Sequence, residues 1–450
     1  MSRNVLSIGI SANTPLSLAI IDENGIEQPD QTLSSGQLFL CFEFTVTKQA
    51  LDQLGLPTPS KLIDLKVELC LLDNVIEKSM ATLCFHQPLH EMVLTHKIDT
   101  VAPDGGLWLH PIQQVNQHEA SQVLALRHAH WLLKFWQKHQ PKINVKQALE
   151  RAAYYRNIYE ISAVGFPVDF VQLQQAIPTE AVISANEILK VTSNGRCYSP
   201  VKPYATKTGR NSTSSNQYPL SIKANLRNWF KPVNNRCFVH LDFHRQEIGI
   251  AAALSHDKKL KDLYLNGDPY LWFANQCDPS IELKKAKRAF IAFQYGATPS
   301  ISFSKKISLP QTIVKQLHNI HHATFTEYWL WTDLVIEDAL ADGFIALSDG
   351  WQVKVTNKSP LLSVINWPIQ GTGAQLLRNV VCELGQQGIY PIGLNHDALL
   401  FECACVDASK LASKAKAVMQ SASLQLLGFE LAISVDIGQS NQSLLHMLEK

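Results

Sequence analysis

The chain has 450 residues, 46% of them apolar and 18% charged, which is too long for one ordinary core and too apolar for a disordered protein. A formal net charge of +1 excludes a globally basic protein, so any nucleic-acid surface must gather its Lys and Arg into one cleft. Nine scattered cysteines, an odd count, no signal-peptide pattern and no apolar run near the roughly 20 residues of a bilayer span predict a cytoplasmic, reducing setting away from membranes. Cys403 and Cys405 form a CxC that is too tight and isolated for a zinc site, and they read as ordinary thiols.

In chain order, "VLSIGIS" and "LSLAIID" predict a strand pair and "LFLCFEF" another strand. "TKQALDQLG" predicts a short helix ending at Gly55. From about 117 to 165 apolar residues recur at helical spacing, with a break at Pro141. Gly165-Phe166-Pro167 predicts a turn and the opening of a third helix. Residues 190 to 235 are rich in Ser, Thr, Asn, Lys and Arg and predict an extended polar connector.

"CFVHLDFHRQEIGIAAALS" then predicts a strand that delivers Asp242 at its end and turns into a helix. Alone, Asp242 reads as a helix cap. However, "IGLNHDALLFE" presents Asp397 in the same way, at a bend inside an apolar strand pair. A carboxylate placed among apolar residues needs water or a cation. Two carboxylates at adjacent strand ends can hold two divalent cations about 4 Å apart, the arrangement phosphoryl transfer requires.

The stretch "SIELKKAKRAFIAFQYG" predicts a helix capped by Asp278 or Ser280 and closed by Gly296. Lys287, Ile291 and Tyr295 fall on one face, with Lys284 one turn earlier. Lys287 and Tyr295 are about 12 Å apart at helical rise, a span that suits a triphosphate plus sugar. An amphipathic surface helix with solvated lysines is the competing reading.

These segments together resemble, in order and spacing, the polymerase region of family A DNA polymerases. "TGRNSTSS" resembles TGR-L-S-S, which implies that Arg210 contacts primer–template DNA. "DFHRQEIGIAAALS" resembles D-Y-S-Q-I-E-L-R, which implies Asp242 and the Phe243 carbonyl as metal ligands and Glu247 as a steric gate against the ribose 2′-hydroxyl. "KRAFIAFQYG" resembles the nucleotide-binding helix, with Lys287 and Tyr295 in register. "INWPIQGTGAQLLR" resembles N-x-P-x-Q-G-T-x-A-D and implies Asn366 and Gln370 at the minor groove. "NHDALLFE" resembles V-H-D-E and implies His396 near the primer end and Asp397 as the second metal ligand. The implied fold is α/β (α+β): polymerase palm and fingers over 208–450, a reduced thumb or connector over 141–207, and a degenerate RNase H-like exonuclease domain over 1–140. The implied cofactor is Mg2+, two per site and replaceable by Mn2+. The implied partners are primer–template DNA, dNTPs and a processivity protein.

The departures are specific. Ile291 stands where the family carries an aromatic, Leu283 where it carries an Arg, and Tyr270 where it carries a phosphate-side His. Ala398, Leu362 and Gly249 replace a Glu, an Arg and an Arg. Lys284 and Lys285 are the substitutes for the Arg missing at Leu283. Toward the N-terminus, the exonuclease-like segments present Thr47 and His128 where that fold keeps metal-binding acids, and no D-x-E pair precedes them. The leading expectation is therefore a template-directed DNA polymerase of low processivity without proofreading. A gap, lesion or template-independent polymerase and a catalytically weak nucleic-acid-binding paralogue are the alternatives, and Glu247 with the TGR segment argues against an RNA polymerase.

Overall fold

The structure is a computed structural model that describes residues 5–11, 16–72, 117–169, 171, 173, 188, 192–214, 217–277 and 279–448. These form two compact units, Met1–Glu160 and Ile161–Lys450.

In the first unit β1 (Val5–Ser11) pairs antiparallel with β2 (Ser17–Ile21) and parallel with β3 (Leu38–Cys41). After β3 the chain turns into α1 (Phe44–Gln53), which opens three residues before the expected "TKQALDQLG". β4 (Lys61–Asp64) adds parallel to β3, completing the order β2-β1-β3-β4, and runs into α2 (Leu65–Leu72). α3 (Gln117–His139) lays Trp131, Leu132, Phe135 and Trp136 against Val5, Leu38, Leu40 and Ile63 of the sheet. The approach is close enough that a Cβ at Gly9 would fall 1.8 Å from the Ala125 carbonyl oxygen. α4 (Val145–Val164) follows a 3-10 turn at Gln140–Lys142, where Pro141 ends the preceding helix as expected. Its Arg151 makes a buried two-pronged pair with Glu68 at 2.8 Å for each bond. Asp64, at the end of β4, accepts from the amides of Glu43, Phe44 and Lys66 and so fixes the start of α1. Burial nonetheless pushes its carboxyl up to about 6.

In the second unit the expected turn at 165–167 is instead a short strand, β5 (Phe166–Pro167), paired with β7 (Arg196–Cys197), which also pairs with β6 (Thr192–Ser193). The third helix expected from Val168 falls largely outside the described residues. The polar segment before residue 235 is more ordered than its composition suggests, because Tyr204, Tyr218, Trp229 and Phe230 are buried and anchor it. A mixed polar run with an aromatic every few residues is pinned by those aromatics.

The principal sheet has the order β11-β12-β8-β13, all antiparallel: β8 (Arg236–Phe243), β11 (Gly393–Asn395), β12 (Ala398–Ala404) and β13 (Ile433–Ile437). β8 is apolar on both faces and central, as its near-continuous apolar run requires. α5 (Gln246–Ser255), α6 (Lys258–Asn266) and α7 (Pro269–Ala274) follow it. The expected nucleotide helix is α8 (Leu283–Gln294). It opens later than predicted, with Glu282 at its N-cap and no side-chain cap bond, so Ser280 is not the cap; Asp278 lies outside the described residues. α9 (Ile301–Ile307), α10 (Gln311–Thr324) and α11 (Thr326–Asp342) complete a helical layer over α8, cored by Phe273, Phe290, Phe293, Phe325 and the buried His321. A hairpin of β9 (Phe344–Ala346) and β10 (Gln352–Lys354) leads to the long α12 (Leu361–Gln386), and α13 (Ala408–Leu427) and α14 (Leu444–Leu448) close the unit. Gly373 of α12 is a contact glycine: a Cβ there would meet the Gln246 side-chain oxygen of α5 at 2.6 Å.

Candidate nucleotidyl-transfer site

The register of β8 and β12 brings the two acids together. Ala398 lies opposite Asp242, so Asp397, in the two-residue turn before β12, sits beside the end of β8. His396 takes the first turn position with φ +55°, the left-handed conformation that tight hairpins demand. Asp242 is not a helix cap; that place at α5 belongs to Arg245. The β8 ladder alternates, bonding β13 through Phe238 and His244 and β12 through Asn235. By the same alternation, the Phe243 carbonyl faces the Asp397 side.

Burial dominates the electrostatics of this pair. It pushes the Asp242 carboxyl up, against the pull of His240 and His244, a side-chain hydrogen bond with Asp397, and Lys287. Asp397 rises to about 7, through burial first and the Asp242 charge second. The Asp242 Oδ1 is buried and has no hydrogen-bond partner. An orphaned carboxylate oxygen beside a second acid fits a hard divalent cation, which would supply the missing partner and reverse both shifts. Among the described residues no group of three or more His, Cys, Asp and Glu forms a metal cage. Two carboxylates and a carbonyl could supply only part of a cation's shell, the partial protein share of sites whose cations also bind substrate phosphates.

The other predicted residues divide into groups. Glu247, in the first turn of α5, pairs with Arg210 at 3.4 Å. The Tyr295 hydroxyl is buried beside Glu247, and burial followed by that carboxylate raises its pKa beyond any working range. Tyr295 is the C-cap of α8 rather than part of its last turn, and Gly296 follows with φ +78°. Lys287 places its ammonium 5.5 Å from the centre of the Tyr270 ring and pulls on Asp242 from there. Ile291 is half-buried on the same helix, whereas Lys284 is exposed with no bond to this group. Lys285 pairs locally with Glu282 at 3.6 Å. His396 is held below its ordinary pKa by burial and by Arg210. Asn366 and Gln370 lie on α12; the Asn366 Oδ1 is buried without a partner. The structure thus gathers Asp242, Asp397, Glu247, Arg210, His396, Lys287, Tyr270 and Tyr295. It does not bring Lys284 to them. Sequence reasoning overlooked Arg245 and Asp268, which form an ion pair beside Tyr270. The overlooked signal was a cationic residue three positions after Asp242.

The sequence model of DNA polymerase family A matches residues 170–443. DNA polymerase I of Aquifex aeolicus (strain VF5) is 26% identical over 265 residues, which is 51% of this chain and 45% of that protein, so the match spans less than half of the relative. Among solved structures, the POL domain of Pol1 from M. smegmatis, in complex with DNA primer-template and dNTP, superposes with a TM-score of 0.76 at 15% identity, covering 98% of this chain and 95% of that one. At that identity the likeness shows the fold alone. With more than half of its length matched by the family model, the chain belongs to DNA polymerase family A.

Proposed function

We propose that the protein is a template-directed DNA polymerase that joins dNTPs to a primer, with Asp242 and Asp397 as the ligands of two divalent cations, Mg2+ or Mn2+. The observation that carries this reading is the pair of half-buried acids at adjacent strand ends, one with an orphaned oxygen and the other held near neutrality. The cations, when bound, lower the pKa of the attacking hydroxyl and neutralise charge on the leaving phosphate. The protein's own residues do the positioning. Asp242, Asp397 and the Phe243 carbonyl provide oxygen ligands. Lys287 directs a positive charge at the same place. Glu247 and Tyr295 fill the space beside the sugar, and Ile291 lies on the helix face that meets the base. Arg210, His396, Asn366 and Gln370 face the primer–template duplex in this reading.

The finer features extend the same proposal. Residues 1–140 act as an exonuclease remnant without proofreading, supported by Thr47 and His128 at the expected acid positions. Thr47 is buried, and the His128 Nδ1 accepts from the Ile10 amide while burial lowers its pKa to about 4. Residues 141–207 form a reduced thumb, so synthesis is distributive unless a processivity partner assists. No helix among the described residues is long and apolar enough to cross a membrane, and the proposed setting is the cytoplasm.

Primer extension on labelled primer–template with Mg2+ or Mn2+ tests the reading. Wild-type extension that Asp242→Ala and Asp397→Ala both abolish supports it. Extension at near wild-type rate by either variant refutes the assignment, and a wild type that binds DNA but never extends it points to the binding-protein alternative.

A further inference from the structure

Arg245 occupies an unusual place. It follows the end of β8 with φ +54°, a left-handed conformation that a long side chain rarely adopts, and serves as the N-cap of α5. Its guanidinium lies 5.4 Å from the centre of the Tyr270 ring, and the Lys287 ammonium lies 5.5 Å from the same ring. One aromatic ring therefore orients two cations. Tyr270 is buried, and desolvation, with Glu247 and Asp268 nearby, raises its hydroxyl to about 12, so it stays neutral and leaves both cations uncompensated by any phenolate. Among the described residues, Arg245 forms an ion pair with Asp268 alone and Lys287 forms none. Asp268 has a separate task for its other oxygen, which accepts from the amides of Tyr270 and Leu271 and caps α7.

We infer that Arg245 is a triphosphate-binding residue of the nucleotide site, working with Lys287 across Tyr270, and that Asp268 holds it in place until nucleotide binds. This rests on the polymerase reading of the site. The chain has Leu283 and Tyr270 where the family pattern supplies phosphate-binding cations, and Arg245 stands where D-Y-S-Q-I-E-L-R has a neutral Gln. A guanidinium offers planar, two-pronged donation to phosphate oxygens that a lysine does not. Arg245 thus restores, from the palm side, a grip that the fingers helix lacks. The negative charge of a triphosphate outcompetes one carboxylate that is already engaged with two amides.

Single-nucleotide incorporation with dATP and Mg2+, using the full chain, tests the role. Arg245→Gln is expected to raise the KM for dATP about tenfold or more, the scale of one charge-assisted contact, with a smaller change in kcat. Arg245→Lys should recover part of the loss. Asp268→Asn keeps the cap on α7 but weakens the hold on Arg245, so its KM should stay at or below the wild-type value. A purely structural ion pair would make Arg245→Gln and Asp268→Asn equally harmful, and that result overturns the inference, as does an unchanged KM in Arg245→Gln. Fluorescence titration with mant-dATP and Mg2+, without primer, separates the two levels. Binding that Arg245→Gln weakens, in a wild type that extends no primer, removes the polymerase reading and keeps the phosphate site. Extension with Arg245→Gln unimpaired removes the phosphate site and keeps the polymerase reading, while a wild type that neither binds nor extends overturns both.

Discussion

Asp242 and Asp397 carry the largest expected single-residue effects. In the proposed function, replacing either with Ala removes a ligand from a preorganised charge site, for which a loss on the order of 10³-fold in extension is expected while DNA binding survives. Equal DNA binding with lost extension, measured by filter retention and primer extension, checks this. Glu247 makes a subtler prediction. Its carboxylate sits between Arg210 and the buried Tyr295 hydroxyl, and in the proposed function it excludes a ribose 2′-hydroxyl. Glu247→Ala should raise rNTP use relative to dNTP, read as the ratio of kcat/KM values; an unchanged ratio places sugar selection elsewhere. Both acids were legible because carboxylates stood in apolar strand contexts. Arg245 was not, because a charged residue just past a strand looks like ordinary surface until the register shows what lies across from it.

At the scale of elements, the helical layer over α8 holds a test of acid stability. His321 on α10 is 1% exposed among Phe273, Phe290, Phe293 and Phe325, with the flanking His318 and His322 on its own helix and Asp333 near His322. The Trp329 Nε1–H donates to its Nδ1 at 3.2 Å, so the neutral ring is the form that fits. Burial lowers its pKa to about 3. The folded pKa lies below the unfolded one, so stability is complete above about pH 6.5 and falls as the unfolded chain alone takes up the proton, by roughly 1.4 kcal/mol per pH unit. His321→Leu should flatten the dependence of the unfolding free energy between pH 6 and 4 by about one proton; an unaltered slope would show that His321 does not control it. Gly9 gives a second test. A methyl there meets the Ala125 backbone oxygen rather than a movable side chain. Gly9→Ala should cost about 1–3 kcal/mol or more in denaturant unfolding of the first unit. Helices and strands were readable from periodicity. The α8 boundary was not, because Asp278 and Ser280 are attractive caps in sequence whereas the helix opens at Leu283 after an unbonded Glu282. The 190–235 segment misled for the opposite reason: its average polarity hides four buried aromatics.

For the whole molecule, the expected behaviour is distributive synthesis. In the proposed reduced thumb, each thumb–phosphate contact that is absent removes a counterion-release term, so affinity for primer–template should fall and its salt dependence weaken. A trap experiment, with excess unlabelled DNA added together with nucleotides, should yield products extended by one or a few residues. Long products from a single encounter would mean that another part of the chain encloses the duplex. Mismatched 3′ ends should stay intact in the absence of dNTPs, since neither Thr47 nor His128 can hold a cation as a carboxylate does. Fold family was legible from several ordered motifs, whereas the division at Glu160 was not, because it falls inside the uninterrupted α4.

The central place of β8 has a consequence for the lifetime of the site. The strand is bonded along both edges, to β12 and to β13, and its interior residues are almost fully buried. Amides in such a strand exchange with solvent only when the surrounding fold opens as a whole. The backbone around Asp242 should therefore be among the slowest in the chain to take up deuterium, slower than the edge strand β11. Thermal inactivation should then coincide with cooperative melting of the Ile161–Lys450 unit, because local fraying at the edges leaves Asp242 in place.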